Sequence, residues 1–430
     1  VSPSRGLGDV YKRQIFDEWS NELFWKEISE VYKALSKGEE PDFPELMIQY
    51  SDFSIWQKRE IDQLIAGQLD YWLGQLDGEL PFIELPTDHP RPVKQEFRGA
   101  LVWRELPVDI YSQLNALNQE IGTTMFMILM AAYQVLLSRY TGQNDILVGT
   151  PIANRTRNET KGLVGFFLNT LVLRGDLSQE LSFLEFASQV RDKALAAYSN
   201  QDLPFEQLVD ELHPNRDTSH NPIFQVMFVH QKSAMDLIDL PGLIAEEVPV
   251  DINVSKFDLT LFAQENDGKL SVGLEYNTDL FESDTANRFL TSYQALLEGI
   301  LQDPQQKISS LQILPAQERN KILLDWNDTG SGPVPGTCIH NLIEAQCETK
   351  PGGIAVTDLK SEFSYGKLNK QANQLANYLQ RFGVGPNVPV GISLDRSNEM
   401  ILAIFAVLKA GGAYLPLDPA YPRERLSYML

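Results

Sequence analysis

The 430-residue, 48.5 kDa chain is long enough for two or three domains of about 150 residues each, and its 43% hydrophobic and 22% charged residues are those of an ordinary globular protein. Gly 28 and Pro 24 exclude collagen-like or low-complexity material, and 36 basic against 58 acidic residues, a net charge of −22, disfavour nucleic acid and anionic membrane surfaces as partners. Two cysteines, Cys338 and Cys347, build no disulfide framework and match no metal-ligand spacing, so the expected setting is reducing and cytoplasmic.

Residues 1–14 (VSPSRGLGDVYKRQ) have no hydrophobic period and three Lys/Arg residues, ahead of an acidic amphipathic run beginning Phe16-Asp17-Glu18-Trp19-Ser20. The abrupt change points to foreign sequence, such as translated vector or adapter, joined near Gln14 or Ile15. A short basic tail is the alternative. No signal peptide is expected, because the first residues lack an apolar core segment. The chain has no starting Met and stops at Leu430 inside a helical pattern, so both ends are expected to be cuts.

Leu23, Phe24, Ile28, Val31, Tyr32 and Leu35 recur at helical spacing and predict a helix over 19–35, with a second over 53–76 ending near Gly78. Four prolines in 80–92 exclude helix and central strand there, leaving a linker or surface crossing. Alternation predicts a strand over 100–106. Thr123-Thr124 can cap a hydrophobic helix over 125–140, with Gly142 as its stop. Its apolar run is interrupted by Gln134 and is too short for a bilayer, which needs about 20 residues. Strands follow at 146–149 and 171–173, a helix at 183–199, strands at 224–229, 259–263 and 270–276, and a closing helix at 286–301. Strands and helices without strict βα alternation predict α+β layers. The stretch DTGSGPVPG, 328–336, reads as a domain boundary. Beyond it, strand 354–357, helix 365–382, strand 389–394 and helix 400–410 alternate as in a βαβ layer. The apolar run 400–417 carries Lys409 and Gly411-Gly412, which suits a buried helix, turn and strand better than a membrane span. No internal repeat is visible.

Four motifs then appear in order: Tyr50-Ser51-Asp52-Phe53-Ser54-Ile55-Trp56, Leu163-Val164-Gly165-Phe166-Phe167-Leu168-Asn169-Thr170, Asn200-Gln201-Asp202-Leu203-Pro204-Phe205-Glu206, and Arg216-Asp217-Thr218-Ser219-His220-Asn221-Pro222. The set closely resembles the later half of the condensation domain of nonribosomal peptide synthetases. Leu85-Pro86-Thr87-Asp88, Thr150-Pro151-Ile152-Ala153-Asn154-Arg155 and Lys256-Phe257-Asp258-Leu259 also look like that family, so the resemblance covers about 16–314. Phe363-Ser364-Tyr365-Gly366-Lys367-Leu368 and Leu408-Lys409-Ala410-Gly411-Gly412-Ala413-Tyr414-Leu415-Pro416-Leu417-Asp418 resemble the start of an adenylation domain, the amino-acid-activating AMP-binding module that follows condensation in these synthetases.

The resemblance implies an α+β fold of the chloramphenicol-acetyltransferase-like kind, truncated in its N-terminal lobe, followed by an incomplete α/β adenylation start. Expected boundaries are a 1–14 tail, condensation domain 15–314 with a nearly whole second lobe from 95, linker 315–336, and adenylation start 337–430. The family joins a carrier-bound acyl thioester to a carrier-bound aminoacyl amine, and a His near neutral pKa suits the proton loss as the tetrahedral intermediate forms. That His stands second in an HHxxxDG motif. Here Asp17 matches the motif's Asp and Glu18 replaces its Gly, so the two His positions fall on Lys12 and Arg13. The fragment is therefore expected to be inactive, with no catalytic residue of its own. A non-catalytic carrier-docking or interdomain platform is the alternative, and a stand-alone acyltransferase is disfavoured by the adenylation-like tail.

Residue by residue, the resemblance makes Asp17 a scaffold carboxylate ion-paired to an arginine, with Arg155 and Arg174 as candidates. Asp52, Trp56, Asn169, Thr170, Gln201, Asp202, Pro204, Phe205, Glu206, Arg216, Asp217 and Asn221 are expected to support the site rather than react. Asn169 and Thr170 either hold backbone near the tunnel or cap a turn. Pro204-Phe205 docks a loop, Phe205 in the core and Pro204 fixing φ. Asp217 and Asn221 read as turn and cap residues. His89, His213, His220, His230 and His340 are scattered surface or satisfied core residues, without metal-ligand spacing. Lys409, near a helix end, serves the macrodipole. The fragment is expected to bind no cofactor or metal. The parent system uses phosphopantetheine on carrier domains and ATP with magnesium in the complete adenylation domain, whose phosphate loop would lie past Leu430. Its partners are the upstream and downstream peptidyl carriers and the rest of a multimodular synthetase, with no nucleic acid and no membrane.

Overall fold

The computed structural model describes residues 15–212, 218–232, 238–246, 253–330, 336–359 and 361–430. Lys12, Arg13, His213, Arg216, Asp217 and linker residues 331–335 lie outside them. The chain divides into two units, up to Trp326 and from Asn327 on.

The first unit begins with helices α1 (Glu18–Lys37) and α2 (Tyr50–Gln75). Its centre is a six-stranded sheet of β1 (Gly99–Glu105), β2 (Asp145–Ile152), β3 (Asn169–Asp176), β4 (Val226–Lys232), β5 (Leu259–Asn266) and β6 (Lys269–Asn277), in the order β1-β6-β5-β4-β2-β3. β4 pairs parallel with both β5 and β2, and the other pairs are antiparallel. Helices α3 (Val108–Ile121), α4 (Met125–Thr141), α5 (Phe183–Ser199), α6 (Phe205–Leu212) and α7 (Ser283–Gln302) complete the layers, and the short helix α8 (Ala316–Asn320) follows them.

The best-covered helix is α4, in which every residue from Met127 to Ser138 is buried. Its ends follow local chemistry: the Thr124 hydroxyl accepts from the Met127 N–H at 3.3 Å, and Gly142 takes the left-handed conformation at φ 73°. Phe228 on β4 packs against Phe126 and Tyr133 of α4, which joins the sheet to the helical layer. Each fully buried large apolar side chain here contributes about 1.5–3 kcal/mol relative to exposure. α5 starts with a reciprocal cap between Ser182 and Glu185. Among the described residues no single helix is long and apolar enough to cross a membrane.

Three local expectations are revised. α3 lies in a stretch for which the sequence predicts no element, although Ile110, Leu114 and Leu117 are buried at i, i+4, i+7 spacing. The strand expected from Phe224 begins at Val226, and the Phe224 ring instead lies against Gly149, where an added Cβ would come within 2.1 Å of it. Phe205 opens α6 rather than sitting in a loop, half-buried against the Phe224 ring.

The second unit holds α9 (Ile339–Thr349), an antiparallel pair β7 (Ile354–Thr357) and β8 (Glu362–Ser364), α10 (Tyr365–Gln380), and a parallel pair β9 (Pro389–Ile392) and β10 (Ala413–Pro416) joined through α11 (Asn398–Lys409). A parallel pair needs such a crossover. Lys409 stands in the last turn of α11, as the dipole reading expects, and has a further role: its side chain is 6% exposed, ion-paired with Glu344 of α9 and hydrogen-bonded to Asn369 of α10. It ties three helices together, since a charge this far from water requires a partner.

Candidate functional site

Asp17 is the N-cap of α1, and its carboxylate gathers the surrounding chain. Oδ1 accepts from the Ser20 N–H at 2.8 Å and from Arg155 Nη2 at 3.0 Å, while Oδ2 accepts from the Phe167 N–H at 2.9 Å. The Ser20 hydroxyl lies 2.7 Å from Asp17 Oδ1 and 2.8 Å from the Gly165 carbonyl, and accepts from the Gly165 N–H at 3.0 Å. Arg155 Nη1 donates to the carbonyls of Thr160 and Leu163, each at 2.6 Å, and the guanidinium carbon stands 4.1 Å from the centroid of the Phe167 ring. Both side chains of the pair are 1% exposed. Burial pulls the Arg155 pKa down and the Asp17 charge opposes that pull. Among the described residues Arg155 Nε has no partner, but the remaining bonds of this buried pair fix its geometry, and removing one partner would strand the other charge.

Of the two candidate partners for Asp17, Arg155 is thus the one that meets it. Arg174 instead forks onto Asp145, at 2.9 and 2.7 Å, and donates to the Asp77 carbonyl at 2.8 Å. The loop before β3 is also held from α2: Tyr50 donates to the Phe166 carbonyl at 2.7 Å, and its ring lies so close to Gly165 that an added Cβ would approach within 2.3 Å. Asp52 accepts from the Gln49 N–H at 2.8 Å and so caps α2.

Asn169 begins β3 and holds a second loop rather than capping a turn. Its Nδ2 donates to the carbonyls of Gln201 and Leu203 at 2.9 and 2.8 Å, and its Oδ1 accepts from the N–H groups of Thr170 and Phe205 at 2.9 and 3.0 Å. From α2, Gln68 Oε1 accepts from the N–H groups of Asp202 and Leu203, both at 3.0 Å, and Trp72 donates to the Asn200 carbonyl at 2.8 Å. Gln201 donates to the Tyr198 carbonyl, Pro204 precedes α6, and Glu206 stands in its first turn. Asn221 donates to the Lys256 carbonyl at 2.7 Å, in a separate turn. Sequence reasoning misses Ser20, Gln68 and Arg91. Only Ser20 carries a local signal, three residues past the cap. Arg91 forks onto the buried Asp258 carboxylate and lies over the Phe82 ring.

No described histidine joins this cluster. His220 Nδ1 is 2.9 Å from the Asn221 carbonyl, with its ring against Phe82. His230 is 2.7 Å from Glu265, which also accepts from the Tyr111 hydroxyl at 3.0 Å; burial holds the His230 pKa below its usual value against the pull of Glu265. Among the described residues no group of three His, Cys, Asp or Glu side chains could hold a metal ion.

Residues 14–323 match the model of the condensation domain, and residues 343–430 match that of the AMP-binding enzyme. A linear gramicidin synthase polypeptide of Brevibacillus parabrevis is 45% identical over 419 residues, which is 97% of this chain and 8% of that protein. A crystal structure of a four-domain nonribosomal peptide synthetase bound to AMP and glycine superposes with a TM-score of 0.78 at 25% identity, covering 96% of this chain and 32% of that one. The X-domain from teicoplanin biosynthesis superposes with a TM-score of 0.63 at 27% identity, covering 70% of each chain. The chain spans about a tenth or less of the length of the curated synthetases it matches most strongly. An ordered motif set, an Asp17–Arg155 pair that locks the start of α1 to the loop carrying one of those motifs, and these matches lead to one conclusion: the chain belongs to the condensation-domain family of nonribosomal peptide synthetases and continues into the start of an AMP-binding domain.

Proposed function

We propose that the parent of this chain forms an amide bond between a carrier-bound acyl thioester and a carrier-bound aminoacyl thioester, beside an adenylation domain that activates the amino acid. The observation that carries the reading is the Asp17–Arg155 pair, which fixes the start of α1 against the loop before β3. In the reaction the acceptor amine attacks the donor thioester carbonyl, a C–N bond forms, the C–S bond breaks, and the donor thiol leaves with a proton. The chain's own contribution is to hold the loops 163–170 and 200–206 in register around that chemistry. The two histidine positions of the motif are occupied here by Lys12 and Arg13, and neither side chain serves as a base at neutral pH. The chain as it stands is therefore inactive in condensation.

The partners in this reading are upstream and downstream carrier domains, whose phosphopantetheine arms deliver both substrates, within a multimodular cytoplasmic synthetase. ATP and magnesium belong to the complete adenylation domain. Residues 337–430 contain no Ser/Thr/Gly-rich phosphate loop, so no ATP step is assigned to them. Mixing the chain with both loaded carriers should give no peptide, and a version with His at positions 12 and 13 behind a native N-terminal lobe should give it. Peptide from the unaltered chain, or none from the repaired one, would overturn the reading. A second reading, a non-catalytic docking platform, is favoured by the same Lys12 and Arg13 and by the related X-domain seen in complex with OxyB. It predicts carrier binding without peptide even after repair.

A further inference from the structure

The first unit carries a smaller body beside its sheet. α1, the first part of α2 and the loop between β2 and β3 are joined through Asp17, Ser20 and Arg155, and Phe167 of that loop meets Tyr50 and Phe53 of α2 with ring centroids 5.0 and 4.7 Å apart. Leu163 and Phe167 are buried, yet neither belongs to the continuous core built on the sheet. Three stretches of chain connect this body to the sheet: the turn after β2, where Asn154 takes the left-handed region at φ 48°, the step into β3 at Asn169, and α2 itself. A narrow cleft marks the seam, with Phe53, Trp56, Arg157 and Thr160 on one side and Ile65 and Asp202 on the other. Among the described residues, and apart from the helix ladder, the hydrogen bonds and ion pairs that leave this body run to Asp239. Its N–H donates to the Ser29 hydroxyl at 3.1 Å, and its carboxylate pairs with Lys33 of α1 at 2.6 Å. The two charged side chains are 33% and 70% exposed, so salt screens the pair.

α2 is clamped on both sides of Gly67. Tyr50 donates to the Phe166 carbonyl within the body, whereas Gln68 and Trp72 hold the 200–203 loop, and Trp72 and Leu76 are buried in the core of the sheet. Glycine weakens a helix interior, and packing does not account for it here: no described atom beyond its own turn lies within 4 Å of a Cβ added at Gly67. Gly74 is equally open, but it stands between the buried Trp72 and Leu76, where the helix is pinned. At about 1.5 Å per residue Tyr50 lies about 25 Å along the helix from Gly67, so a bend of about 10° there displaces it by about 4 Å. We propose that Gly67 is the hinge of this body and that the Lys33–Asp239 pair is the clasp that holds it closed, so that bending moves the loop before β3 away from the 200–206 loop. The hinge goes beyond the condensation reading, which only gives it a use, the admission of tethered substrates between those loops.

The test is a distance measurement between spin labels on the full chain, with Cys338→Ser removing the exposed native thiol and Glu159→Cys and Ser199→Cys placing one label on each side of the seam. The unsubstituted hinge should give a main distance and a minor population longer by about 4 Å. Gly67→Ala should remove the longer population, while Gly74→Ala, with the same gain in helix propensity, should keep it. Lys33→Gln, or about 1 M salt, should enlarge the longer population by about two- to fivefold, as expected for loss of one exposed ion pair. Persistence of the longer population in Gly67→Ala overturns the hinge, as does its equal loss in Gly74→Ala. A single unchanged distance in the parent chain and in Lys33→Gln overturns the proposal as a whole. Peptide formation by the repaired chain judges the condensation reading separately, and that reading can survive any of these results.

Discussion

Replacing Asp17 with Ala should be among the most damaging single changes in the first unit, and the reason lies with Arg155. The carboxylate accepts from Ser20, Arg155 and Phe167, and the arginine it neutralises is 1% exposed. Stranding a buried charge costs about 3–5 kcal/mol, and loss of the helix cap costs about 1 kcal/mol, partly overlapping with it. About 4–5 kcal/mol is a large share of the roughly 5–15 kcal/mol that holds a domain folded. If the stranded charge is the main cause, the loss should depend on the arginine. In an Arg155→Met background, which itself leaves the Thr160 and Leu163 carbonyls unpaired, Asp17→Ala should cost no more than about 2–3 kcal/mol, for the lost cap and an unpaired Phe167 N–H. Urea unfolding followed by tryptophan emission gives the free energies, and hydrogen exchange at the Gly165 and Phe167 amides, both bonded into the cluster, gives a local readout. An Asp17→Ala cost as large in the Arg155→Met background as in the wild type, or a single variant costing less than about 1.5 kcal/mol, would refute the argument.

Asn169→Ala should remove three hydrogen bonds that hold the 200–206 loop, raising exchange at the Phe205 amide while leaving α4 protected, and costing about 2–3 kcal/mol. The His230 pKa is lowered by burial, so the unfolded state binds its proton first; stability should fall as pH drops below about 6.5 and until the folded pKa is passed, with a shallower slope in His230→Gln. α1 leaves Phe24 and Leu35 exposed, so hydrogen exchange should be faster over 16–50 than over 125–140; equal protection in the two would contradict this. ATP–pyrophosphate exchange by the chain should stay at background for every amino acid tried, and a signal above it would place a phosphate site somewhere in 337–430.

Elements whose causes are local can be read directly from the residues. The helix over 125–140 announces itself by continuous apolar composition, Thr124 before it and Gly142 after it, and the structure places α4 at Met125–Thr141. The same holds for 183–199, where Ser182 and Glu185 supply the cap. The motif order is equally legible, because it is a property of the string. α3 is harder: its three buried positions are diluted by polar neighbours, and only packing on the closing helix shows which face matters. Pairing across the chain is beyond reach. Asp17 and Arg155 stand 138 positions apart, and nothing in either neighbourhood prefers Arg155 to Arg174. A long-range contact is decided when the loop between its partners closes, which depends on how the sheet and helices stack and leaves no periodic trace in the sequence. Lys409 shows the same limit, since its position near a helix end suggests the dipole and only the neighbouring helices supply Glu344 and Asn369. Composition, period and caps determined the elements, and the resemblance of the ordered motifs pointed to the family; the tertiary structure alone decided which charges meet, because that depends on burial and approach between segments far apart in the chain.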